Sequence, residues 1–168
     1  MAIILFTGGA RSGKSRLAEA RLAALPGQPC YIATAQAWDD EMADRIAAHR
    51  AARPDWRTIE EPLDLPAALA TADGPVLIDC LTLWLSNLMA AGRDVAAATE
   101  ALKASLVAAP VPVILVTNEV GSGIVPDNAL ARVFRDAQGR LNQGIGDIAD
   151  EVWLVVAGQG LQIKGQRT

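Results

Sequence analysis

The chain has 168 residues, of which 51% are hydrophobic and 20% charged, a balance that excludes intrinsic disorder and suits a single domain spanning 1–168. Area scaling removes about two-thirds of the surface from water on folding, enough for a core without disulfide or metal staples. A net charge of −4 excludes a general nucleic-acid binder, which would show a basic face, yet leaves room for a local cationic pocket. The longest apolar run, from Leu106 to Val116, carries Pro110 and Pro112 and falls short of the roughly 20 residues a membrane span needs. The first apolar run has no cationic segment before it and stops at Gly8–Gly9, so no signal peptide is expected and a cytoplasmic location is. Cys30 and Cys80 lie far apart without metal-ligand spacing and read as buried free thiols.

In chain order, five apolar runs read as strands: Ala2 to Thr7, Pro29 to Ala35, Pro75 to Cys80, Pro112 to Thr117 and Glu151 to Ala157. They are apolar throughout rather than alternating, as strands buried on both faces of a parallel sheet are. Between them lie alanine-rich helical stretches: Lys14 to Leu25, Asp39 to Arg53, Leu65 to Ala72, Leu83 to Ala108 and Ala129 to Ala149. Gly92 breaks the fourth stretch, and Asp94 caps a second helix within it. A short edge strand is expected over Leu161 to Lys164. This alternation predicts an α/β fold, an open and mainly parallel sheet with helices on both faces.

Directly after the first strand stands GGARSGKS, Gly8 to Ser15, which fits the phosphate-loop pattern G-x-x-x-x-G-K-[ST]. Glycines let main-chain N–H groups approach phosphate oxygens, and the helix after the loop adds its dipole. Lys14 is expected to neutralise β/γ-phosphate charge, and the Ser15 hydroxyl to ligate Mg²⁺. Arg11 is either a further phosphate contact or a solvated side chain. Asp79, closing the run VLID, supplies the strand-end carboxylate that organises the metal in such enzymes, although a helix cap or an ion pair would also account for it.

The single histidine, His49, shares a helical face with Arg45 and Arg53, with Arg50 adjacent. Two readings stay open from the residues alone. One is a solvated, ion-paired helix. In the other, the arginines bind a polyphosphate and hold the imidazole neutral, able to act as a nucleophile or base. Glu60 and Glu61 before Pro62 are either a solvated turn or a purine-reading carboxylate. Asn118 and Glu119 come after the fourth strand, where ligands of open α/β sheets sit, and are expected to meet substrate. Trp38, Trp56, Trp84 and Trp153 read as core or interface residues.

Taken together, GGARSGKS, YIATA, RIAAHRAARP, TIEEPLDL, LIDCLTLWLSN, NEVGSGIVP and RDAQGRLNQ resemble the bifunctional adenosylcobinamide kinase/adenosylcobinamide-phosphate guanylyltransferases of cobalamin biosynthesis, in order from Gly8 to Gln143. The resemblance implies a RecA-like P-loop fold, a homotrimer, and two reactions on one chain. First the aminopropanol hydroxyl of adenosylcobinamide is phosphorylated by ATP or GTP. GMP is then transferred from GTP through a GMP–histidine to give adenosylcobinamide-GDP. By motif position the nucleophile is His49. The implied nucleotide contacts are Gly8, Gly9, Ala10, Arg11, Ser12, Gly13, Lys14 and Ser15, then Ala33, Thr34 and Ala35, then Arg50, Ala51, Ala52 and Arg53, with Glu61 and Asp79. Two other classes are compatible with the phosphate loop. A simple kinase of another metabolite forms no covalent nucleotide, and a nucleotide-binding module without chemistry turns nothing over.

Overall fold

The computed structural model describes residues 1–36 and 55–165. Its strands are β1 (Ile3–Thr7), β2 (Cys30–Ala33), β3 (Arg57–Glu60), β4 (Val76–Asp79), β5 (Val113–Val116), β6 (Glu151–Val156) and β7 (Gln159–Lys164). They form one sheet in the order β3-β2-β4-β5-β1-β6-β7. Every pairing is parallel except that of β6 with β7. The helices are α1 (Lys14–Ala23), α2 (Leu65–Ala70), α3 (Leu81–Ala90), α4 (Val95–Ala108) and α5 (Ala129–Ile148).

The expected class is the observed one, and burial gives the reason. Along β1, Ile3 and Leu5 enter one core while Ile4 and Phe6 enter the other. The first core is closed by α2 through α5, with Leu69, Trp84, Leu102 and Ile145 among its buried residues. The second is closed by α1 through Ala18 and Leu22. A strand covered on both sides must be apolar at every position, which is why these runs do not alternate. Among the described residues no helix is long and apolar enough to cross a membrane.

The structure differs from expectation in its details. Strand β3 has no counterpart among the expected strands: RTIE is only partly buried, with exposed Arg57 and Glu60, because an edge strand pairs on one side only. Glu60 therefore ends a strand rather than opening a turn. The second strand stops at Ala33, and α3 starts at Leu81 rather than Leu83. Strand β7 begins at Gln159, two residues before the expected tail strand. Gly92 does take a left-handed φ of 64°, and the Asp94 carboxylate does accept from Ala97 N at 3.0 Å. The expected helix from Asp39 to Arg53 and the preceding Trp38 lie outside the described residues.

Candidate functional site

The carboxyl ends of β1, β2, β4 and β5 lie along one rim of the sheet, in register: Ala33 is opposite Asp79, Asp79 opposite Val116, and Val116 opposite Phe6. This register brings together the loop after β1, Thr34, Asp79 and the segment Thr117 to Glu119. The phosphate loop itself depends on two glycines. A β-carbon on Gly8 would collide with the Val155 carbonyl oxygen. Gly13 is the N-cap of α1 at φ 96°, and a β-carbon there would meet Gly158 Cα at 3.0 Å. The turn between β6 and β7 thus backs the loop, with Gly158 N donating to Ser12 O at 2.8 Å and Arg16 donating to Gly158 O at 3.2 Å.

The helices differ in how their first turns are capped. Asp64, Asp94 and Asn128 cap α2, α4 and α5 with side-chain oxygens. Helices α1 and α3 start at the rim from Gly13 and Cys80 with no side-chain cap, and at α1 this leaves the first N–H groups and the positive dipole end for an anion. Lys14 is 8% exposed and folds back over the loop, its Nζ donating to Gly9 O at 3.0 Å. Among the described residues the buried Ser12 Oγ has no hydrogen-bond partner, so it can serve a phosphate oxygen. Arg11 is exposed in the loop with φ 55°.

Asp79 is held from the neighbouring strand. Tyr31 donates its hydroxyl to Asp79 Oδ2 at 2.7 Å. Fully buried Thr34 joins the two strand ends, donating to Cys80 O at 2.8 Å while its Oγ1 accepts from Cys80 N at 2.8 Å. Ala35 comes next, half-buried. Burial pushes the Cys80 thiol up from its ordinary pKa, and the Asp79 charge adds to this, against hydrogen bonds from Leu83 and Thr82. The thiol at the start of α3 is therefore protonated and unreactive at neutral pH. Burial also raises Cys30, and both cysteines are free.

Glu61 stands beside this cluster, where Glu61 N donates to Ala33 O at 2.9 Å. Its Oε1 accepts from both Leu63 N and Asp64 N at 2.8 Å, so the carboxylate anchors its own turn, and Oε2 takes no bond from the described residues. Across the rim, Glu119 N donates to Gly8 O at 3.1 Å, and the exposed Glu119 carboxylate accepts from Gly121 N at 2.6 Å. Asn118 Nδ2 points at Cys80 Sγ, 3.7 Å away. Arg45, His49, Arg50, Ala51, Ala52 and Arg53 lie outside the described residues.

Reading the sequence missed Tyr31, Gly158 and the polar residues behind Asn118. Tyr31 matters only because β2 neighbours β4, which no local pattern reveals. The glycine between two apolar runs was a usable signal for Gly158.

A buried parallel strand, a glycine loop with an inward lysine, an uncapped helix start and an acidic strand end two strands away define a P-loop protein. The fold agrees: the ATPase of a bacterial type III secretion system superposes with a TM-score of 0.55 at 14% identity, over 91% of this chain and 50% of that one. Residues 4–163 match the cobinamide kinase/cobinamide phosphate guanyltransferase family, and the chain belongs to that family of bifunctional enzymes. The bifunctional adenosylcobalamin biosynthesis protein CobU of Salmonella typhimurium is 50% identical over 96% of this chain and 99% of its own. CobP of Pseudomonas aeruginosa, of the same description, is 50% identical over 96% of this chain and 97% of its own.

Proposed function

We propose that this chain, acting as one domain over 1–168 within a homotrimer of the cytoplasm, catalyses two successive transfers at a single phosphate loop. In the first, the aminopropanol hydroxyl of adenosylcobinamide attacks the γ-phosphate of ATP or GTP. Positioning and charge stabilisation suffice for this step, and they come from the loop N–H groups, Lys14 and the uncapped start of α1. In the second, neutral His49 attacks the α-phosphorus of GTP, releasing pyrophosphate and forming a GMP–histidine. The cobinamide phosphate then takes the GMP. Arg50 and Arg53 offset the triphosphate charge, Ala51 and Ala52 lie between them in the same motif, and Asn118 and Glu119 face the acceptor.

The residues fit Mg²⁺. Asp79 and Ser15 offer hard oxygens, and Asp79 Oδ1 stays clear of the Tyr31 bond. Mg²⁺ takes few protein carboxylates, keeping waters and taking phosphate oxygens. When bound, Mg²⁺ would neutralise charge on the phosphates.

The observation that carries the reading is the convergence of the phosphate loop, Thr34, Asp79 and the post-β5 segment on one rim, in a chain of this family that also has a single histidine among arginines. Incubation with α-³²P-GTP and Mg²⁺ tests it. The wild-type chain is expected to carry acid-labile, alkali-stable label, and His49→Ala to carry none while still phosphorylating adenosylcobinamide with ATP. A labelled His49→Ala chain would overturn the nucleophile assignment. An unlabelled wild-type chain that still phosphorylates would reduce the protein to a kinase.

A further inference from the structure

We infer that Thr117, Gln138 and Asn142 form a positioning unit that sets Asn118 and Glu119 against the phosphate loop. Gln138 lies in the middle of α5, fully buried, and Thr117, directly after β5, is fully buried beside it. Gln138 Nε2 donates to Thr117 Oγ1 at 3.0 Å and to Asn142 Oδ1 at 2.9 Å. The Thr117 hydroxyl donates to Asn142 Oδ1 at 2.7 Å, and Asn142 Nδ2 donates to Asn118 O at 3.0 Å. The network thus ties the middle of α5 to the segment after β5. The Gln138 acceptor oxygen is left without a partner among the described residues.

That arrangement is costly for a core. A methionine or leucine would fill the space with no orphaned amide oxygen, whereas a buried polar group without a partner is strongly disfavoured. The network holds something of matching value, and Asn118 shows what it is. Its carbonyl is tied to α5, and its N–H donates to Thr82 Oγ1 at 2.9 Å on the first turn of α3. The next N–H, that of Glu119, closes on Gly8 O at 3.1 Å. Three elements therefore fix the main chain at Asn118 and Glu119, and only the Asn118 carboxamide is held lightly. Asn118 Nδ2 meets a thiol sulfur at 3.7 Å, a weak acceptor that a phosphate oxygen would readily replace. The unit thus presents the Asn118 donor at the rim, between the phosphate loop and Asp79, at the place where a transferring phosphoryl group must be oriented.

This role rests on the proposed function for its assay. Thr117→Val and Asn142→Leu, which remove donors and acceptors at little change in volume, are expected to lower kcat for adenosylcobinamide phosphorylation by about tenfold to a hundredfold. KM for the nucleotide should stay within about threefold, because the loop and Lys14 still bind it. Thr117→Ser, which keeps the hydroxyl, should restore near wild-type kcat. The Thr117→Val/Asn142→Leu double variant should lose little more than either single one. A merely structural role would lower nucleotide affinity, kcat and the unfolding temperature together. Wild-type kcat in Thr117→Val, or losses in KM equal to those in kcat, would overturn the inference. If Thr117→Val does not fold, Gln138→Met carries the same comparison. A wild-type chain inert towards adenosylcobinamide would overturn the functional reading instead, and basal hydrolysis of bound nucleotide would then report on the unit with the same variants.

Discussion

Glu61 Oε1 collects two main-chain N–H groups while Oε2 takes none from the described residues, so one carboxylate can serve a turn and a ligand at once. Glu61→Gln separates these uses. The amide oxygen can still anchor the turn, but a donor replaces the acceptor that would face a guanine edge. The preference for GTP over ATP in self-labelling is expected to fall by about tenfold, with the unfolding temperature nearly unchanged. Unchanged selectivity would leave Glu61 as a turn anchor only. Asp79 offers a similar test. Asp79→Asn can still accept from the Tyr31 hydroxyl but loses its charge. Turnover across a Mg²⁺ titration is expected to drop by about two decades while nucleotide affinity changes far less. Equal losses in both would mark a structural carboxylate. Of these residues, Asp79 was legible in the sequence because it closes a buried run. Glu61 was legible only as an acidic pair before a proline, since the bonds that define its turn arise from local geometry.

Among the elements, the β6–β7 hairpin has the most direct bearing on the site. Val156 pairs with Gln159, so Ala157 and Gly158 form a two-residue loop with φ of 50° and 77°. Both positions need left-handed backbone, as in the mirror-image turns that suit twisted strands. Alanine is strained there, by about 1–2 kcal/mol. Asparagine tolerates this region better, so Ala157→Asn is expected to raise the unfolding midpoint by about 2–4 °C in a scanning calorimeter with unchanged turnover. A fall would mean that the Ala157 methyl group has packing that outweighs the backbone strain. The strands buried on both faces, and the helix started by Asp94, were legible because each rests on contiguous residues. Strand β3 was hidden because its four residues mix charge and apolar groups at an edge. The Gln138–Asn142 pair was hidden for the opposite reason: an i, i+4 pair of amides in a helix reads as a solvated face until the strand beneath it is known.

At the scale of the molecule, the proposed function has one phosphate loop serve two reactions, and the sequence has a single G-x-x-x-x-G-K-[ST] match. Lys14→Ala is therefore expected to remove cobinamide phosphorylation and self-labelling alike. The loss of one charge-assisted contact costs on the order of 3 kcal/mol, about two decades in rate, and parallel assays with ATP and GTP would measure it. Full labelling in that variant would require a second phosphate site. Strand order was the part of the architecture that sequence could not supply. It decides that Tyr31 meets Asp79 and that Val155 lies behind Gly8, contacts between residues far apart along the chain.

The backing of the phosphate loop by the β6–β7 turn also bears on the order of events during synthesis. The loop is translated near the start of the chain, yet Ser12 and Gly13 gain their long-range support from Gly158, and β1 gains one of its two flanking strands only from β6. Such distant pairings form late, after the closure entropy of the intervening chain has been met. A nascent chain still lacking its final hairpin would carry the whole nucleotide motif without the shape that binds nucleotide. The enzyme would therefore acquire its triphosphate site in one step, when the last strands dock, and a ribosome-bound intermediate would not sequester GTP.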